Sequence, residues 1–280
     1  MTYELAGRTI VMPLSHDLPL ILDAHRYYAA NLVRLVRLIS EREPDGLVVD
    51  VGANVGDSAV MIRQTSHCPL MCIEGDRDYS RLLHHNTAGL EGLQVVEAFV
   101  SFEGSHGVTL SVERASGSGH LTQIDDGGAG VATTALSDLL QETRPGVSPR
   151  LVKLDTDGYD SRIIVANEVL IATSRPVLFF EFDPRLMRRF GDCDYTRVFA
   201  LLSRLGYERV LVYQNTGELL GVAEASDDAY WSDLAYCLLL GPDGRYVDVA
   251  AYHRADAELA DDSVRSERMF FAREMSLPDQ

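Results

Sequence analysis

The 280-residue chain is 46% hydrophobic and 24% charged, the composition of a globular protein with room for one large core. Its formal net charge of −17 argues against a nucleic-acid partner, because phosphate contacts need clustered Lys and Arg. No apolar run is long enough to span a bilayer, and MTYELAGRTI lacks the basic start and apolar block of a secretory signal, so a cytoplasmic protein with no membrane partner is expected.

Asp17 to Glu43 reads as one helix, with Leu20, Ile21, Ala24, Tyr28, Leu32, Leu35, Val36 and Ile39 at helical spacing. Pro44-Asp45-Gly46 ends it. Strands and helices then alternate: strand 47–51, helix 57–65, strand 70–73, helix 78–88 with Asp78 as N-cap, strand 93–99. Residues 101–131 break the pattern and read as a β-rich insertion, which holds His106 and His120 as candidate bases. ATTALSDLLQETRPG returns to helix, and strands are expected at 151–154 and 176–182. A helix over 195–205 follows, then strands at 209–213 and 234–240 and a charged helix over 255–276. The alternation predicts an α/β fold with a doubly wound, mostly parallel sheet. Three segments are expected: an N-terminal helical extension (1–45), the α/β domain (46–254) and the charged C-terminal helix (255–280). Cys68, Cys72, Cys193 and Cys237 match no zinc or disulfide spacing and read as free thiols.

LVVDVGANVGDSAV carries the first chemical signal. Gly52 and Gly56 frame a strand-to-helix turn, where glycine takes positive φ and leaves the backbone open to a ligand. A dinucleotide site usually spaces its glycines Gly-x-Gly-x-x-Gly. Here the pattern is Asp-x-Gly-x-x-x-Gly, and Asp50 would repel a pyrophosphate but attract an amino or sulfonium group. Glu74 ends the next strand, where a carboxylate accepts from ribose hydroxyls. Ala98, Phe99 and Val100 at the third tip are placed to pack around adenine. A nucleoside with a cationic tail, S-adenosylmethionine, suits this set. The bland alternative is a tight turn with no ligand, and the enzymatic rival is a nicotinamide-dependent oxidoreductase.

LVKLDTDGYD and PVLFFEFDP place Asp155, Asp157, Asp160, Glu181 and Asp183 beyond the next two strands. Ligands of doubly wound sheets bind outside such carboxyl ends. Asp155 or Asp157 is a candidate general base. Asp155 with Glu181 or Asp183 is a candidate oxygen set for Mg²⁺. Helix capping is the alternative for Asp160 and Asp183. Lys153, inside its strand, is a candidate partner for these acids.

VVDVGANVGDSAV, CIEGDRDY, TTALSDLL, LVKLDTDGYD and PVLFFEFD resemble, in order and spacing, the FkbM-type methyltransferases, over about residues 46–213. The resemblance implies a class I, Rossmann-like sheet of seven strands. It also implies S-adenosylmethionine as donor and O-methylation of a small-molecule hydroxyl on a sugar, glycan or secondary metabolite. Residues implied around the donor are Asp50, Gly52, Ala53, Asn54, Gly56, Glu74, Gly75, Ala98 and Phe99, with Asp155 and Asp157 at the methyl-transfer site. The chain departs from the family pattern at Gly75, where Pro is frequent, and at Asp157, where Glu is frequent. A catalytically inactive binding protein of the same fold stays open, as does a homo-oligomer. Residues before 46 and after 213 are expected to set substrate choice or subunit contacts.

Overall fold

The computed structural model describes residues 1–105, 110–115, 118–123, 131–241 and 245–276. The chain opens with a hairpin, β1 (Thr2–Leu5) and β2 (Arg8–Val11), turned at Ala6 and Gly7, both at positive φ (58° and 72°). The single helix expected over 17–43 is two, α1 (Leu18–Ala24) and α2 (Ala30–Arg42). They part where Ala29 takes a left-handed conformation, φ 55°. β3 (Leu47–Val51), α3 (Asp57–Arg63), β4 (Leu70–Glu74), α4 (Arg77–Thr87) and β5 (Leu93–Glu97) then alternate. The cap of α4 is Asp76, not Asp78: its carboxylate accepts from the backbone N–H groups of Asp78 and Tyr79.

In the insertion, β6 (Phe99–Val100) leaves the line of β5, and β7 (Leu110–Ala115) pairs antiparallel with β8 (Ser118–Gln123). β9 (Thr133–Thr134) returns to pair with β6. His106 lies outside the described residues, and His120 is described only as backbone of β8. α5 (Leu136–Thr143), β10 (Pro149–Leu154), α6 (Asp160–Ala166), α7 (Glu168–Ser174), β11 (Val177–Phe182), α8 (Pro184–Arg189), α9 (Arg197–Arg204) and β12 (Tyr207–Gln214) follow. The last part holds β13 (Leu219–Glu224), α10 (Asp228–Leu240), β14 (Val247–His253) and α11 (Ala257–Glu274). Residues 234–240, expected as a strand, belong to α10, whose N-cap Asp227 accepts from the Tyr230 N–H. The strand that enters the sheet there is β14.

The main sheet has the order β13-β12-β14-β11-β10-β3-β4-β5. All pairs from β5 to β11 are parallel, and β14 runs against both its neighbours. This is a seven-stranded doubly wound sheet with β13 added as a hairpin on its edge. Every residue of β3 and β4 is buried, as expected for strands covered by helices on both faces. Because β4, β3, β10 and β11 run the same way, their carboxyl ends lie side by side on one rim.

One face packs under α5, α6, α9 and α10, where Trp231 stacks on Phe199 at 3.5 Å between ring centroids. The other face packs under α2 and α3 through Leu32, Leu35, Val36, Ile39, Ala59 and Ile62. The charged helix α11 lies against α2 of its own chain. Its buried Glu267 takes both Nε and Nη2 of Arg34, at 2.9 and 2.7 Å, and Phe270 and Phe271 pack edge-on against Tyr27. Among the described residues, no helix is long and apolar enough to cross a membrane.

Candidate functional site

Two adjoining cavities open at the carboxyl rim. The smaller, about 70 Å³, is lined by Ile73, Glu74, Gly75, Ala98, Phe99 and Phe102 among others. The larger, about 260 Å³, is lined by Tyr28, Asn31, Asp57, Lys153, Glu181 and Asp248 among others. Gly52, Asn54, Asp155 and Asp157 line both, so they form the neck between them.

The neck is built from strained backbone. Gly52 has φ 77°, and a Cβ there would sit 2.0 Å from the Asp155 carbonyl oxygen. The glycine is therefore what lets the β3 and β10 tips approach each other. Asn54 (φ 48°) and Asp157 (φ 53°) are left-handed non-glycine residues, a conformation that Asn and Asp tolerate best and that clusters at working sites. Asp160 fixes the second loop: its carboxylate accepts from Thr156 Oγ1 at 3.0 Å and from the Gly158 N–H at 3.3 Å. Burial pushes Asp160 up to about 7.

Glu74 ties together the two loops beside the smaller cavity. It accepts from the Asn54 N–H at 2.8 Å and the Asp76 N–H at 2.7 Å. Burial pushes its carboxyl up to about 7, although both hydrogen bonds pull the other way. Gly75 is required by a ring: a Cβ would lie 2.3 Å from Phe99. That ring narrows the smaller cavity well below the roughly 300–1,000 Å³ of ordinary ligand pockets.

Four candidate residues stand away from both cavities. Asp50 is fully buried beneath the floor, with its carboxylate taken by Lys153 Nζ at 2.8 Å and Ser58 Oγ at 2.6 Å. It reaches the site through Ser58 and through Lys153, which both line the larger cavity; Lys153 also lies 3.2 Å from Asp155. Burial disfavours the Lys153 ammonium, but Asp155 and Asp50 outweigh it and hold its pKa well above the ordinary value. Ala53 belongs to the core beside α2 and α3. Gly56 serves packing: a Cβ would meet the Leu83 side chain at 2.7 Å, so it brings α3 close to α4. Asp183 is the N-cap of α8 and accepts from the Arg185 and Leu186 N–H groups.

The acids considered for Mg²⁺ are placed differently. Asp155 and Glu181 face the larger cavity, but Asp183 is spent on its helix. Among the described residues, no three His, Cys, Asp or Glu side chains gather as a metal site. Asp183→Ala is expected to cost about 1 kcal/mol of stability, as loss of an N-cap does, and to leave ligand binding intact. A denaturant melt paired with a donor titration checks both.

A model of the methyltransferase FkbM domain matches residues 50–209. The chain belongs to the FkbM methyltransferase family. The match spans the glycine turn, Glu74 and the acidic tips of β10 and β11, so the smaller cavity of this FkbM-family protein lies within it, whereas more than half of the residues lining the larger one lie outside it. No curated protein matches the chain by sequence. Among solved structures, the methyltransferase domain of METTL16 is similar at 12% identity, over 88% of this chain and 73% of that one, with a TM-score of 0.50. That likeness concerns the fold. A precorrin-6y C5,15-methyltransferase from Geobacter metallireducens is 14% identical over 79% of this chain and 86% of that one, TM-score 0.40. A methyltransferase FkbM from Methylobacillus flagellatus is 17% identical over 59% of this chain and 39% of that one, TM-score 0.37.

Several lining residues carried no sequence signal. His16 Nε2 lies 3.2 Å from Asn54 Oδ1 and joins the N-terminal loop to the glycine turn. Tyr28 and Asn31 come from the segment before the family match, and Asp248 and Tyr246 from the segment after it. Both flanking segments thus line the larger cavity. Asp57 begins α3, and burial raises its carboxyl despite Lys153 nearby.

Proposed function

We propose that this protein is an S-adenosylmethionine-dependent O-methyltransferase acting on a small hydroxyl compound, of the sugar, glycan or secondary-metabolite class and so of natural product biosynthesis. The observation that carries the reading is the neck: an acid, Asp155, stands between a cavity with nucleoside-type lining and a second, polar cavity. The residues fit the donor. Glu74, which would accept from a ribose, lines one cavity with Ala98 and Phe99, which would pack on a base, and the backbone at Gly52 offers room that a Cβ would fill.

When bound, S-adenosylmethionine supplies a methyl group already activated on a sulfonium. The protein's part is alignment, which can supply roughly 7–11 kcal/mol of a two-reactant barrier. Asp155 would take the proton that the acceptor hydroxyl loses as its oxygen gains the methyl. Lys153 keeps that carboxylate oriented at 3.2 Å, and Asp157 borders the same opening.

Glu74→Gln is expected to weaken S-adenosylmethionine binding by about 10- to 100-fold, the loss of a charge-assisted hydrogen bond. Glu74 titrates at about 7 and must be ionised to accept from both hydroxyls. Wild-type affinity should therefore fall by up to about tenfold per pH unit below 7, and the variant should lose that part of the slope. Calorimetry at pH 6 and pH 8 reads both effects. Equal affinities for wild type and variant would end the reading.

A further inference from the structure

The larger cavity is lined by more acids than bases. Glu181 and Asp248 stand directly opposite each other in the antiparallel register of β11 and β14. Two carboxyls so opposed cannot both ionise without cost unless a cation lies between them. Glu181 Oε1 is shut off from solvent and has no hydrogen-bond partner among the described residues. Asp248 has the neutral Asn31 amide, at 3.1 Å. Lys153 is the one Lys or Arg among the described residues lining the cavity, and its ammonium is engaged by Asp50 and Asp155. His16, also on the wall, is turned to Asn54 and the Leu18 N–H. Neither Glu181 nor Asp248 lines the smaller, donor-side cavity.

We propose that the methyl acceptor carries a protonated amine seated between Glu181 and Asp248, so that the substrate is a small amino polyol such as an amino sugar. The proposal rests on the methyl-acceptor reading of the same site. Three further features agree with it. An ammonium supplies three donors and no acceptor, the complement of an unpartnered carboxylate oxygen and a second carboxylate across the strand. The Tyr28, Phe179 and Tyr246 rings line the same cavity, and aromatic faces favour a cation over an anion. Burial, and then Asp155 and the other acids nearby, raise Glu181 well above the usual carboxylate range, and a cation is what would bring it back to the ionised form. A cavity of about 260 Å³ holds a single sugar ring rather than a chain of them.

The test uses the full-length protein and a matched pair of probes, glucosamine and glucose, followed by calorimetry or ligand-observed NMR with and without S-adenosylhomocysteine. Glucosamine is expected to bind at least about tenfold more tightly than glucose, the scale of a charge-assisted contact. In Glu181→Gln and, separately, Asp248→Asn, the ratio should fall to within about threefold, with thermal melts showing that each variant is folded. Glucosamine binding no better than glucose, or a preference that survives in both variants, overturns the proposal. S-adenosylhomocysteine titrated alone reports on the donor site. A flat trace there counts against the methyltransferase reading, whereas the glucosamine ratio without donor judges the cation seat by itself.

Discussion

Gly52→Ala is expected to lower the melting temperature by roughly 4–20 °C and to abolish donor binding. Two penalties add. A non-glycine residue at φ 77° costs about 1–2 kcal/mol. The new Cβ would also lie 2.0 Å from the Asp155 carbonyl oxygen, a backbone atom that no rotamer change can move aside. Displacing a strand tip to relieve such overpacking adds about 1–3 kcal/mol. At roughly 2–4 °C per kcal/mol for a chain of this size, the sum gives the stated drop. Gly146→Ala is the control, because Gly146 shares φ 77° but has no atom within 4 Å of the point where a Cβ would stand. It should lose only the conformational part. A Gly52→Ala melt that coincides with the Gly146→Ala melt would show that the β3 and β10 tips are not in contact. Loss of donor binding follows because the same displacement opens the neck where Asn54 and Asp155 meet.

The parts of the fold that could be read from the sequence are those with a local pattern. LVVDV, LMCIE, LVKL and VLFFEF are short apolar runs bounded by turn residues, the mark of strands buried on both faces, and each is a strand of the parallel sheet. The edges were hidden for different reasons. Helix α10 is apolar nearly all round, so LAYCLLL shows no 3.6 period and reads as a strand. Yet Trp231, Ala235 and Leu238 are buried, while Tyr236 and Leu240 face solvent. The β1–β2 hairpin turns on Ala6-Gly7 rather than Asn-Gly or Asp-Gly, so its signal was absent. The helix break at Ala29 is a tertiary effect, since no Gly or Pro marks it.

The site divides the same way. Gly52, Glu74 and Asp155 sit where a strand ends, and a strand end is visible in one dimension. The role of Asp50 was not, because whether a strand acid faces ligand or a neighbouring strand depends on register, and register places Lys153 beside it. Asn31 and Asp248, bonded across 217 positions, leave no spacing to read. The wall of the larger cavity is assembled from segments on both sides of the family match, which is why motifs alone reach the smaller cavity and stop short of the larger one.

Lys153 supplies the second large effect. Lys153→Met should cost about 3–5 kcal/mol, the usual consequence of removing one partner of a buried ion pair. The ammonium is 8% exposed and Asp50 is not exposed at all, so water cannot replace the lost charge. Only Ser58 Oγ would still donate to the stranded carboxylate. The double change Asp50→Asn with Lys153→Met removes that buried charge while keeping an acceptor for Ser58, and it should recover most of the lost stability. Turnover should not recover with it. In the double variant Asp155 still lacks the ammonium 3.2 Å away, so the carboxylate that faces both cavities is no longer held in line. A fall of at least about tenfold in kcat that persists at restored melting temperature would assign Lys153 a positioning role, within the range expected for a disturbed general base. Stability and turnover rising together would instead mean that the lysine acts only by holding the sheet together, and Asp155 would then have to find its orientation from the strained loop alone.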